Sequence, residues 1–148
     1  MIYFFRACSN VFLRLSHIYP HICVFSLVDG CHWQNYKNLS DADRKHDYET
    51  QYAKCDDTLD GWYRFQGDAS TKMVTTCPPT DRCDAAFPIW LRGGHPAVAE
   101  GKVTRNVCIN NFHCCKESFP IQVKNCSSYY IYKLLNPWHC PARYCSTD

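Results

Sequence analysis

The apolar positions of this chain change period repeatedly and never hold a helical spacing for long. From Lys102 to Ile109, Val103, Val107 and Ile109 fall on one face while Thr104 and Asn106 face the other, the two-residue period of a half-buried strand. Ile121, Val123 and Asn125 alternate with Gln122 and Lys124 in the same way. After Ser127-Ser128 a second run, Tyr129 to Leu135, follows, and the two together predict a hairpin. The aromatic block Trp62-Tyr63-Arg64-Phe65, bounded by Gly61 and Gly67, predicts another strand, and Phe87 to Leu91 one more. Only the polar stretch before Cys55 offers helical spacing, with Tyr48 and Tyr52 one turn apart after Ser40-Asp41; a short helix or a loop fits there.

Turn chemistry punctuates these runs. Gly67-Asp68-Ala69-Ser70 is a turn, Pro78 and Pro79 hold Cys77 to Cys83 extended, and Arg92-Gly93-Gly94-His95-Pro96 predicts a tight, exposed turn. Short strands, closely spaced turns and no long amphipathic helix predict a mainly β fold, a small domain with long loops and at most one or two short helices.

Cysteine content sharpens that picture. The chain has 148 residues and 12 cysteines, a density that marks a disulfide scaffold made in an oxidising, extracellular compartment. Ten of them, at 31, 55, 77, 83, 108, 114, 115, 126, 140 and 145, lie in the body of the chain, while Cys8 and Cys23 stand apart. Spacing alone leaves the connectivity open, except that neighbouring α-carbons about 3.8 Å apart are too close for a bond between Cys114 and Cys115.

Residues 1–30 read as an N-terminal extension, either a poor signal peptide or a wrongly assigned beginning of a longer protein, and 31–148 as the cysteine-rich domain. The apolar pieces before Val28 are broken by Arg6, Arg14, His17, Pro20 and His21, so no run is long enough to span a membrane. A net charge of +2, with basic residues scattered among acidic ones, gives no footprint for nucleic acid.

Catalytic and metal chemistry are weakly supported. His113, Cys114, Cys115, His139 and Cys140 could be drawn as a zinc site, but ligation needs thiolates and the paired C-x-x-C spacing is absent. A cysteine nucleophile acting with His95 or His139 meets the same objection. Asp56, Asp57 and Asp60 read as solvated loop charges. We therefore expect no catalytic residue, no metal and no cofactor. The words Trp62-Tyr63, Phe65 and Tyr129 to Tyr132 could form a contact platform, but small stapled domains put such side chains in the core.

The ordered words of the chain carry a family resemblance. Asn35-Tyr36 with Leu39, Gly61 to Phe65, Met73 before Cys77, Trp90-Leu91, Gly94-His95-Pro96, Gly101 with Val103 and Arg105, the vicinal Cys114-Cys115, Val123-Lys124 before Cys126, and Tyr129 to Tyr132 resemble the uromodulin-type eight-cysteine domain. The resemblance runs from about Cys31 to Cys145. It implies the pairs Cys31 to Cys126, Cys55 to Cys140, Cys77 to Cys114, Cys83 to Cys145 and Cys108 to Cys115. It also implies a non-catalytic module of a secreted or membrane-anchored multidomain glycoprotein, serving adhesion, matrix assembly or glycan presentation toward an extracellular protein or glycan. Cys8 and Cys23 have no counterpart in the family; they pair together, or the extension is no part of the mature protein.

Two glycosylation sequons are present, Asn38-Leu39-Ser40 and Asn125-Cys126-Ser127, of which the first is favoured because the second contains a cysteine expected to be bonded. The glycan-bearing positions that microbial lectins recognise in some relatives have no matching sequon here. The alternative is a stand-alone secreted, lectin-like defence protein that binds sugar through exposed aromatics and the Arg92 to His95 turn.

Overall fold

The computed structural model describes residues 30–148; the expectations for the N-terminal extension, including the pairing of Cys8 and Cys23, lie outside the described residues. Among the described residues nine strands form two sheets. In chain order they are β1 (Lys37–Leu39), β2 (Asp60–Phe65), β3 (Lys72–Met73), β4 (Phe87–Leu91), β5 (Lys102–Ile109), β6 (Glu117–Asn125), β7 (Tyr130–Leu135), β8 (Ala142–Tyr144) and β9 (Ser146–Thr147). The larger sheet has the order β1-β2-β7-β6-β5-β4-β8, and β3 pairs with β9 in the smaller one. The helical content among the described residues is four three-residue 3-10 turns, so the fold is mainly β. The stretch holding Tyr48 and Tyr52 is a loop.

Alternation along the strands divides the large sheet into two faces. Register places Tyr63 beside Tyr132 and Tyr132 beside Val123, all three buried. One residue away, Trp62, Lys133, Gln122 and Thr104 form a continuous row on the opposite, open face. Phe65, Met73, Ile89, Leu91, Val107, Phe119 and Tyr144 complete the core beneath the inner face. Among the aromatic words, Tyr63, Phe65 and Tyr132 are core and Tyr130, two residues before Tyr132, packs half-buried against them, while Trp62 and Tyr129, at the other parity in their runs, are half-buried.

Strand β6 begins at Glu117, ahead of the run expected from Ile121, and contains Pro120. Asn106, opposite Pro120, gives its carbonyl to the Arg92 N–H at 2.9 Å on the β4 side. Its pair with Pro120 is therefore a non-hydrogen-bonded one, and the proline nitrogen points away from β5. β7 pairs with β6 only over Gln122–Asn125, so the missing N–H leaves no ladder bond unmade.

The loop before β2 is fastened to β8 by a buried charge layer. Arg44 donates to both oxygens of Asp56, at 2.9 and 2.7 Å, and Asp56 Oδ2 also accepts the Tyr144 N–H at 2.9 Å. Arg143 on β8 donates to Asp43 at 2.8 Å and to the Cys83 carbonyl at 3.2 Å. Burial alone would raise the Asp43 carboxyl, but Lys54 and Arg143 outweigh it and hold the pKa below the ordinary range. Asp84, wholly buried, is likewise raised by burial but lowered on balance by the Tyr52 and Gln51 N–H groups.

Candidate binding surfaces

Five disulfides staple this framework, and they use all ten cysteines of the body: Cys31–Cys126, Cys55–Cys140, Cys77–Cys114, Cys83–Cys145 and Cys108–Cys115. Their α-carbons lie 4.8 to 5.6 Å apart, inside the range a disulfide accepts. Cys83 and Cys145 are fully buried, whereas Cys114 and Cys115 stand exposed in the turn between β5 and β6, each reaching a different partner. The residues drawn together as a zinc site are thereby dispersed among three bridges, and His139 turns to Glu117. Cys55, Asp57 and Cys140 approach one another closely enough to suggest a metal triad, but two of those groups are halves of one disulfide.

The matched family description is the uromodulin-like D8C domain, over residues 63–146, a segment that contains eight of the ten paired cysteines. The chain belongs to this family. Cys31 and Cys55 precede the matched segment, and their partners Cys126 and Cys140 lie inside it, so two additional bridges sew the N-terminal loops and β1 onto the eight-cysteine domain. Among similar proteins are rat uromodulin, 42% identical over 113 residues (75% of this chain, 17% of that protein), and the mouse pancreatic secretory granule membrane major glycoprotein GP2, 41% identical over 124 residues (80% and 23%). Human GP2 is 35% identical over 129 residues, 85% of this chain and 23% of its own length. The chain spans about a fifth of the length of these relatives. The D8C domain of this chain is an extracellular module, and its five bridges are of the kind that persist in an oxidising compartment. No helix among the described residues is long and apolar enough to cross a membrane.

The open face of the large sheet offers one surface. Thr104, Pro120, Ile121, Gln122, Lys133 and Leu135 line a shallow groove of about 270 Å³ where β7 stops covering β6. Toward the opposite edge, the Arg64 guanidinium lies 3.9 Å from the centre of the Tyr129 ring and donates to Tyr36 Oη at 3.3 Å. Burial would raise the Tyr36 phenol, yet the hydrogen bonds from Tyr129 and Arg64 prevail and lower it. Asn38 registers with Arg64 on this face and is exposed.

Asn125 is placed differently. Its Nδ2 donates to the Pro96 carbonyl at 2.9 Å, its Oδ1 accepts the Ser127 N–H at 2.8 Å, and the next residue is bridged to Cys31.

The Arg92 to Pro96 turn departs from the exposed loop suggested by its composition. Gly93 and Gly94 take φ of +88° and +80°, conformations that suit glycine, and leave Arg92 outside. His95 instead turns inward, with its ring 4.3 Å from that of Tyr130 and Nε2 2.7 Å from Tyr132 Oη. Tyr132 Oη accepts the Met73 N–H at 3.1 Å and keeps its own proton and a second lone pair, so either ring tautomer of His95 satisfies the contact at Nε2. Burial, with the charge of Lys72 adding to it, depresses the His95 pKa to about 4.

The large exposed aromatics are Trp33, Phe112 and Trp138, which carry no signal in the sequence patterns, and Tyr52, which entered there only through its spacing from Tyr48. None lies in an alternating run; each sits in a loop or 3-10 turn, where periodicity says nothing about exposure.

Proposed function

We propose that this chain is a non-catalytic binding and structural module, starting near Cys31, of a larger secreted or membrane-anchored glycoprotein. It acts in adhesion, matrix assembly or glycan presentation, engages an extracellular protein or glycan, and is N-glycosylated at Asn38. The observation that carries this reading is the fate of the sulfurs: each of the ten body cysteines has a cysteine partner, which removes the nucleophile and the soft metal ligand together. The short share of each relative covered by the chain supports a part within a multidomain protein. Exposure supports a glycan on Asn38, whereas the Asn125 amide is already committed to the backbone.

The test uses protein secreted from animal cells and alkylated before any reduction. The ten body cysteines should stay unlabelled, peptides cut without reduction should carry the five bridges, and peptide-N-glycosidase should convert Asn38 but not Asn125. Labelling of any of the ten in native protein would return a thiol-based activity to contention and defeat the proposal.

A second reading, a carbohydrate-binding defence protein, loses much of its first platform, because Tyr63, Phe65 and Tyr132 are buried and His95 is turned inward. It is favoured by one specific observation, the exposed and fixed indole of Trp138.

A further inference from the structure

Trp138, Glu117 and His139 meet at the end of the sheet where β5 turns into β6. Trp138 is 60% exposed, yet its ring is held: Nε1 donates to Glu117 Oε2 at 3.0 Å, and the indole packs on Phe119 with 4.8 Å between ring centres. The same carboxylate oxygen lies 2.8 Å from His139 Nε2. A carboxylate oxygen only accepts, so Nε2 carries the proton of that contact, which leaves Nδ1 as the ring's other polar atom. Glu117 Oε1 and His139 Nδ1 have no hydrogen-bond partner among the described residues. Both residues are partly open to solvent, at 29% and 44% of their side chains.

We propose that Trp138, Glu117 and His139 form a subsite for a neutral hexopyranoside, which lays its apolar C–H face on the indole, donates a hydroxyl proton to Glu117 Oε1 and hydrogen-bonds through another hydroxyl to His139 Nδ1 at the rim. The site deepens the carbohydrate-binding reading and rests on the disulfide-held module described above. An indole in a fixed orientation loses little rotational freedom when a sugar ring covers it, so the cost of ordering was met on folding. The other strongly exposed tryptophan lacks these features. Trp33 is 68% exposed, its ring meets that of His32 at 5.7 Å, and its indole nitrogen has no hydrogen-bond partner among the described residues. It is the internal control.

The experiment titrates ¹⁵N-labelled, fully oxidised protein with the methyl glycosides of galactose, glucose, mannose and N-acetylglucosamine, following the four tryptophan Nε1–H signals. For a single sugar ring, saturation in the roughly millimolar range is expected, with the Trp138 signal moving and the Trp33 signal still. W138A should weaken binding at least tenfold. E117Q, which keeps the fold of an exposed site, should weaken it several-fold, and W33A should leave it unchanged. Tetramethylammonium, a cation that also stacks on indole, is the competing probe. A larger response to it than to any glycoside, no Trp138 shift with any of the four sugars, or equal binding by W138A would each overturn the proposal. Those results with all five bridges intact would leave the module reading standing, whereas free thiols in the same sample would sink both.

Discussion

Replacing Arg44 with methionine isolates the energetic role of the buried charge layer. Arg44 and Asp56 are 5% and 3% exposed, so neither can turn to water when its partner is lost. In the variant, the Asp56 carboxylate keeps the Tyr144 N–H at 2.9 Å and Arg143 Nε at 3.8 Å but loses both short guanidinium bonds. Removing one partner of a buried pair costs about 3–5 kcal/mol, and the remaining Arg143 charge places this case near the lower end, about 3 kcal/mol. Substituting Asp56 with asparagine in the same chain removes the stranded charge and keeps an acceptor for Tyr144. The double variant should therefore recover part of the loss, ending about 1–2 kcal/mol below wild type. Guanidinium unfolding with the disulfides intact reads both numbers as shifts of midpoint at constant slope. A single variant within 1 kcal/mol of wild type, or a double variant less stable than the single, would refute the account of this layer.

Bridge removal should scale with the loop closed: Cys55→Ala with Cys140→Ala opens a separation of 85 residues and should cost about 4–5 kcal/mol, whereas Cys108→Ala with Cys115→Ala opens 7 and should cost about 2–3 kcal/mol. Thermal melts of the two variants in oxidising buffer check the order, and a larger loss for the short loop would contradict it. Stability should also fall as the medium is acidified below about pH 6.5, because the unfolded chain protonates His95 near its usual 6.5 while the folded site resists until about 4. The neutral-pH stability from this residue is thus present above 6.5 and lost on the way down to 4. His95→Gln should flatten the midpoint between pH 7 and 5, above the window where Asp43 and Asp84 titrate; parallel curves for variant and wild type would argue against the buried neutral imidazole.

Periodicity made the long strands legible, because a half-buried strand writes its two faces directly into alternate residues. β4 and β5 appear at the bounds their patterns suggest, and the β6–β7 hairpin follows the break at Ser127-Ser128. The family, too, was legible, since Gly61 to Phe65, the vicinal cysteines and Tyr129 to Tyr132 are local words that survive without any knowledge of contacts. The two- and three-residue strands β1, β3, β8 and β9 were not, because so short a run carries no period and pairs only where distant segments arrive beside it. The start of β6 was hidden by Pro120, whose tolerance depends on which edge lacks a neighbour.

The arrangement of the charges belonged to the tertiary structure in the same way. Asp41 and Asp43 look like ordinary solvated charges until β8 brings Arg143 across some hundred residues to meet them. The chain alone stated its compartment, its β character and the residue types available for cross-linking, all of which follow from composition and local alternation. Only the folded molecule decided which aromatics face water, that His95 points inward and that Trp138 is pinned by Glu117, because exposure and pairing arise from contacts between segments far apart in sequence.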